Sequence, residues 1–463
     1  MDLHVDVPKS SQSSRKDLKS AQHSANSIRS AHSTIRRTTY VESLIHLLKA
    51  CICSGTFAMG DAMKNAGLVL GPIGITLLGA ICIYNNQSLV RSSVVIRKKL
   101  CLLHEPNFPE IVELCFEYGP LRFRKWRNFV RYIVKIFIIA TQLGFCSVYF
   151  VFVASTMQTV MEKHGFQYDT RIYISIALLP ILLSSMIRSL KLLTPLSLLS
   201  NMCIFFGIFM TAYQCCMDLP SLSERKLVTD YASWPLFLGT TLYNFEGISI
   251  VIPLLNEMKD TRRFSSPFGV LNVGLTMVVL LAVIMGFLTY LKFGDDVRGS
   301  FTLNLDQGIL SEMIMSIVAL GILLTYPIQF HVAVDVFWWD LVASFGPFKH
   351  MVLYELLLRT VLVLITFVMA AVVPRLNLFI SLIGAVCSTT LSLVLPALCD
   401  ISLRACPEDE GRLMASSKCN QVFRYLMNGI SLFLAAIAST TGAFYSIKTI
   451  IAVFWQDELG KYT

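Results

Sequence analysis

Two apolar segments long enough to cross a bilayer are each interrupted at the centre by residues that break helices. The first runs from Leu44 to Leu70 and is interrupted at Ser54-Gly55 and again at Gly60-Asp61. The second runs from Trp234 to Leu255 and is interrupted at Asn244-Phe245-Glu246-Gly247. A break frees amides and carbonyls that hydrocarbon cannot satisfy, so it persists in a membrane only where protein or water lines a polar cavity. The two segments hold matching places in the two halves of the chain. Such a pairing points to a small polar solute bound between them near mid-membrane.

The rest of the chain fits a membrane setting. Of 463 residues, 54% are hydrophobic and 15% are charged, whereas soluble domains carry roughly a quarter charged residues. The apolar excess falls into blocks of about 20 residues, the length that crosses hydrocarbon as a helix. Eleven such blocks are expected. They are Ser43–Leu70, Pro72–Ile96, Phe129–Ser155, Ile172–Leu190, Pro195–Gln214, Trp234–Leu255, Pro267–Leu291, Ile309–Val334, Met351–Val373, Asn377–Cys399 and Val422–Val453. The predicted fold class is an all-α polytopic membrane protein.

The formal charge of +9 does not imply nucleic acid, because the cations sort by side of the membrane. Arg97, Lys98, Lys99, Arg122, Arg124, Lys125, Arg127, Arg188, Lys191, Arg262, Arg263, Arg404 and Arg412 all fall in alternate loops, which the positive-inside rule assigns to the cytoplasm. With eleven spans the amino terminus is then cytoplasmic and the carboxyl terminus extracellular or lumenal. Residues 1–40 read as a disordered cytoplasmic tail with no apolar core. Residues 41–455 form the membrane domain and 456–463 a short outer tail. Between Lys98 and Arg127, apolar residues alternate with Glu105, Glu110, Glu113 and Glu117. That mixture predicts a short amphipathic helix at the inner interface. The 13 cysteines lie mostly inside apolar blocks, where they act as small hydrophobes.

Several motifs resemble the proton-coupled amino acid transporters, a branch of the amino acid/auxin permease family. They are His46-Leu47-Leu48-Lys49 followed by Ser54-Gly55 and Lys64-Asn65-Ala66-Gly67, then Gln142-Leu143-Gly144-Phe145-Cys146-Ser147-Val148-Tyr149. Phe245-Glu246-Gly247 with Pro253-Leu254, Tyr326-Pro327-Ile328-Gln329-Phe330, and Pro374-Arg375-Leu376 leading to Ile383-Gly384-Ala385 follow in family order. The resemblance implies a five-plus-five inverted repeat with discontinuous helices 1 and 6 and a further helix appended. It also implies symport of small neutral amino acids such as glycine, alanine or proline, with protons as coupling ion and no other cofactor. The membrane would be the plasma membrane or a lysosomal or endosomal one, and nutrient-signalling partners would meet the cytoplasmic tail.

An amino acid brings a carboxylate, which main-chain donors at a half-helix end can receive. Ser54, Gly55, Thr56 and Phe57 are the candidates around the first break; close helix packing through the small residues is the alternative. Phe245 and Gly247 border the second break; the resemblance implies that helix 3, which carries Tyr149, lines the central site, with interhelical hydrogen bonding as the alternative role for Tyr149. Three residues are candidates for proton coupling. Glu246 is a mid-span carboxyl of the kind that marks ion pathways, or else a structural hydrogen-bonding group. His46 matches the family's helix-one histidine, or bonds a nearby carbonyl. Asp61 stands with Gly60 where the family commonly has a proline, and acts either as a filter beside the site or as a first-turn acid. His331 and Asp335, one turn apart, can pair.

A carrier is therefore expected. The alternative is an amino-acid-binding sensor with little or no transport. An enzyme is not expected, since no nucleophile–base pair or metal-ligand cluster is evident, and no phosphate-binding Gly-x-x-x-x-Gly-Lys-Ser/Thr loop suggests an ATP-driven pump.

Overall fold

Main-chain groups in hydrocarbon have no partners but one another, so each apolar block closes its hydrogen bonds as helix. The structure, a computed structural model, describes residues 38–101, 106–188, 190–217, 219–305, 308–346, 349–405 and 418–459. Residues 1–37 of the expected amino-terminal tail and 460–463 of the outer tail lie outside the described residues, as do Glu105 and Arg412. Residues 456–459 continue the last helix.

Among the described residues, nine helical stretches are long and apolar enough to cross a membrane, and the broken first stretch and the shorter Thr170–Ser185 bring the spans to eleven. The first consists of three pieces, α1 (Tyr40–Cys51), α2 (Ser54–Phe57) and α3 (Met59–Ala66). The second is α4 (Leu70–Leu100), followed by the short helices α5 (Phe108–Glu117) and α6 (Leu121–Arg124). Spans three to five are α7 (Arg127–Lys163), α8 (Thr170–Ser185) and α9 (Leu190–Cys216). The sixth is split into α10 (Trp234–Asn244) and α11 (Ile248–Glu257). Then come α12 (Val270–Phe293), α13 (Ile309–Phe345) and α14 (Met351–Val372). The tenth comprises α15 (Leu376–Ile383), two π-helical turns over 384–394, and α16 (Leu395–Arg404); α17 (Lys418–Leu459) is the eleventh.

Burial separates centre from rim. The apolar windows of the third, sixth and tenth spans are 72%, 78% and 78% buried, against 28% for the fifth and the eleventh. The central three therefore line the interior, while Leu77, Leu179 and Phe209 face outward from other spans, as lipid contact requires.

The two interrupted spans are strapped together at both ends. At one end Thr39 opens α1 in a capping box with Glu42. Beside it the Thr38 amide donates to Glu257 O at 2.8 Å and Thr38 O accepts from Lys259 N at 3.1 Å, just past α11. At the other end Gly67 closes α3 with φ of 99°, and a Cβ there would lie 2.6 Å from Leu227 O. Leu68 and Val69 then donate to Lys226 O and Leu227 O in the segment leading to α10, both at 3.0 Å. Consistent with this, α1 packs on α11 and α3 on α10.

Three expectations change. Gly60-Asp61 is not a break: both lie inside α3, and the only offset is one residue before it, at Ala58 (φ −90°, ψ −3°). Gly60 instead permits close packing, since a Cβ would meet Thr289 Oγ1 at 2.6 Å. The amphipathic helix of the inner loop exists as α5, but its apolar face does not rest on lipid. Phe108, Ile111, Val112, Cys115 and Phe116 join a cluster with Leu89, Val134, Leu395 and Cys399, and Glu113 receives Arg131 of α7 at 2.8 Å. Finally, the expected His331–Asp335 pair is widened, for the two lie within electrostatic reach and each takes a further partner. Asp335 accepts from Trp339 Nε1 at 2.9 Å, while His331 Nδ1 lies 3.3 Å from Arg359 Nη2.

Arg359 is 1% exposed and belongs to a charge cluster joining α8, α13 and α14. Glu355 meets Arg359 Nε at 3.0 Å and Arg188 Nη2 at 2.6 Å, and Arg359 Nη1 donates to Ser185 O at 2.8 Å. Removing one member of a buried pair strands the other. Glu355→Gln is expected to lower stability by about 3–5 kcal/mol, seen as a lower melting temperature of the purified protein; an unchanged melting temperature would show that the pair is not needed.

Candidate functional site

The two breaks meet. α1 stops at Cys51, Ile52 and Cys53 turn away from helical geometry, and α2 restarts at Ser54. α10 stops at Asn244, and Phe245, Glu246 and Gly247 lead into α11. Ser54 Oγ and Tyr243 OH share a hydrogen bond of 2.9 Å, and Thr56 Oγ1 donates to Asn244 Oδ1 at 3.2 Å. Both bonds are buried, so each broken end finds its side-chain partner on the other span.

Glycine sets how closely the main chains approach. A Cβ on Gly55 would fall 2.8 Å from Asn244 Cα, and one on Gly247 would fall 2.9 Å from Cys51 Sγ. Gly55 and Gly247 thus face each other's spans in both directions across the junction. On the far side of α10, Gly239 and Gly384 allow the tenth span equally close. A Cβ on Gly384 would collide with Gly239 O, and one on Gly239 would lie 2.4 Å from Ser381 O. The π-helical turns begin at this crossing, with Thr389 Oγ1 donating to Gly384 O at 2.9 Å. π-turns concentrate at functional sites.

Polar atoms without partners gather around the junction. Among the described residues, Tyr149 OH, Asn244 Nδ2 and Glu246 Oε1 are buried with no hydrogen-bond partner, as are Thr240 Oγ1, Thr241 Oγ1, Gln142 Oε1 and Ser388 Oγ. Tyr149 lies beside Cys53 and Tyr243. Glu246 lies over Ser249, near Cys51, Cys53 and Cys387. Leaving a buried polar atom unpaired costs about 1–3 kcal/mol, and several in one place mark a space that a polar ligand or water completes.

The sequence candidates separate on this geometry. Ser54, Gly55, Thr56, Tyr149, Glu246 and Gly247 come together at the junction. Phe57 and Phe245 are buried at its edges. Phe57 stands in an aromatic group with Phe152 at 5.6 Å and Phe301 at 5.0 Å between ring centres, while Phe145 packs edge-on against Tyr243 at 4.6 Å.

Two coupling candidates stand apart. Asp61 is buried on α3, where Asn65 Nδ2 donates to its Oδ2 at 3.3 Å and Asn377 and Lys64 are its other neighbours. It caps no amide of the first turn. His46 is exposed on α1. The sequence reading missed the Gly239–Gly384 crossing and the π-turns. Their one visible signal is a pair of glycines on helices whose adjacency the sequence does not record.

Comparison with known proteins supports one family. Residues 36–444 match the family described as transmembrane amino acid transporter protein. The chain is 32% identical over 368 residues to a Drosophila melanogaster protein named proton-coupled amino acid transporter-like protein pathetic, covering 79% of this chain and 77% of that one. It is 24% identical over 429 residues to a Caenorhabditis elegans protein named probable amino acid transporter skat-1, covering 91% and 92%. Among solved structures it resembles the inward-facing conformation of Mhp1, with a TM-score of 0.54 and 14% identity over 91% of this chain and 92% of that one. A manganese transporter from Eremococcus coleocola gives a TM-score of 0.53 at 12% identity, covering 90% and 92%. The common architecture is the five-plus-five inverted repeat with discontinuous first and sixth spans and an eleventh appended.

The junction makes a direct prediction. Gly55→Ala has a main-chain atom in its way and is expected to destabilise the protein by about 1–3 kcal/mol. Gly429→Ala, with open space around it, is expected to stay within about 0.5 kcal/mol of wild type. Equal melting temperatures for the two variants would show that the spans do not meet at Gly55.

Proposed function

The chain belongs to the transmembrane amino acid transporter family, and from that premise we propose that it is a secondary carrier coupling protons to small neutral amino acids of the glycine, alanine and proline class. The observation that carries the proposal is the set of unpartnered buried atoms, Tyr149 OH, Asn244 Nδ2 and Glu246 Oε1, at the junction of the two breaks. An amino acid zwitterion offers what they lack. Its carboxylate accepts from Tyr149 and Asn244, and its ammonium, or a proton, meets the Glu246 carboxylate. Phe57, Tyr243 and Phe245, buried beside the junction, suit a ligand with a short side chain. The name of the Drosophila relative supports proton coupling.

The strapping of the two spans supports alternating access as the working mode: with α1 tied to α11 and α3 to α10, a tilt of either pair about the breaks would open the junction toward one side. The hydrogen bonds of Ser54 to Tyr243 and of Thr56 to Asn244 then act as the hinge contacts. The bias of basic loops supports a cytoplasmic amino terminus, in a plasma membrane or in a lysosomal or endosomal one whose acidic lumen supplies protons. His46, away from the junction, would act as a relay at the membrane surface, and Asp61 as a filter on the path through α3.

Uptake of labelled glycine, alanine and proline into proteoliposomes tests the reading. Accumulation is expected only with an imposed pH gradient, and thermal stabilisation by these amino acids without any flux would replace the carrier with a sensor. Glu246→Gln is expected to abolish gradient-driven accumulation, and wild-type pH dependence in that variant would move the coupling proton elsewhere. Asp61→Asn is expected to broaden the set of competing amino acids; an unchanged set leaves Asp61 with a structural role through Asn65.

A further inference from the structure

A second group of unsatisfied polar atoms lies away from the junction, where the carboxyl ends of α4 and α16 meet the amino-terminal part of α17. Asp400, fully buried, spends one oxygen on two donors: Oδ2 accepts from Arg404 Nε and from Asn428 Nδ2, each at 2.8 Å. Around it stand three guanidinium groups, with Arg404 and Arg424 each within electrostatic reach of Arg91. The Arg91 guanidinium carbon sits 5.5 Å from the centre of the Tyr84 ring, and Phe423 packs edge-on against that ring at 6.2 Å.

Among the described residues the local charge does not balance: three cations face one carboxylate, and several of their donors are idle. Arg91 Nε and Nη2 and Arg404 Nη2 are buried with no hydrogen-bond partner, as are Tyr84 OH, Asn428 Oδ1 and Asp400 Oδ1. The Arg404 side chain is only 5% exposed. A structural role for Arg404 is met by Asp400 alone. Arg91 rests on the Tyr84 ring and is drawn to Asp400, yet its Nε and Nη2 stay unpaired while Arg404 and Arg424 repel it.

We propose that Arg91, Arg404 and Arg424 form a binding site for a phosphate monoester, with Tyr84 as a further donor. Arginine forks match phosphate oxygens in pairs, and such charge-assisted bonds are the strong ones. The free Asp400 oxygen and the Asn428 carbonyl oxygen oppose an anion, so the phosphate sits on the Arg91 and Arg424 side of the cluster. Arg91 precedes the basic run Arg97 to Lys99 by six residues, about 9 Å along a helix, which is headgroup depth. Arg91, Arg424 and Tyr84 are half-buried, and the α17 surface beside them exposes Phe423, Tyr425 and Leu426. The site therefore opens sideways toward lipid, and an anionic lipid with a phosphomonoester headgroup is the source it fits. Free inorganic phosphate shares the chemistry.

Full-length protein in detergent provides the test, and it needs no assumption about transport or about which side the site faces. Its melting temperature is followed against dioctanoyl phosphatidylinositol 4-phosphate, dioctanoyl phosphatidylcholine and inorganic phosphate. The phosphoinositide is expected to stabilise wild type at concentrations about tenfold below the phosphatidylcholine, and Arg91→Gln and Arg424→Gln each to weaken that response about tenfold. Among the described residues neither Arg91 nor Arg424 donates a hydrogen bond to protein, and the melting temperature of each variant without lipid is the reference for its response. Stabilisation by inorganic phosphate to the same extent, lost in Arg91→Gln, assigns the site to free phosphate. No stabilisation by either phosphate compound, or equal responses in wild type and the double variant Arg91→Gln/Arg424→Gln, overturns the proposal while leaving amino acid uptake to be judged by its own assay.

Discussion

A helix that stops halfway through hydrocarbon exposes amides and carbonyls that nothing in the lipid can satisfy. Here two helices stop at the same depth, and each becomes the other's environment. Tyr243 and Asn244 at the end of α10 take the hydroxyls of Ser54 and Thr56, and the absence of side chains on Gly55 and Gly247 brings the main chains into contact. Much of the bundle is arranged around that meeting point. The third and tenth spans are central because they wall it in, and the straps at Thr38 and at Gly67 hold the outer ends of both spans in register.

Within this frame, polar groups fall into two kinds. Some are fully paired and structural, such as Arg359 between Glu355, Ser185 and His331. Others are buried with idle atoms, and these cluster in specific places. One is the junction with Tyr149, Asn244 and Glu246; another is the basic pocket of Arg91, Arg404 and Arg424. A low-dielectric interior penalises unpaired polar groups strongly, so their persistence in clusters is a better guide to ligand contact than their identity alone. Family membership and the paired breaks both agree with the junction as the solute site.

Much was legible in the sequence because hydropathy responds to one uniform constraint, the thickness of the hydrocarbon layer. The eleven spans and the Asn244 to Gly247 interruption were readable in that way, and the first break, expected at Ser54-Gly55, falls just before it at Ile52 and Cys53. Gly60-Asp61 misled because glycine beside an acid looks like a helix stop. Its actual cause, a close approach to Thr289 on a distant helix, leaves no trace in the local sequence. The α5 segment misled for a related reason: an amphipathic stripe looks the same whether it faces lipid or the flank of a bundle.

What the amino-acid order determined alone was the number of crossings and, to within a few residues, the place of both discontinuities, since each depends on residues adjacent along the chain. The tertiary structure alone decided which candidates share a site. Glu246 and Tyr149 converge because their helices cross there, whereas His46 lies exposed on α1 and Asp61 turns toward Asn65 and Asn377. It also decided that Arg91 stands beside Arg404 and Arg424, which lie more than three hundred residues further along the chain. Those outcomes depend on helix rotation and crossing, which packing across the bundle sets and periodicity along one strand of sequence does not encode.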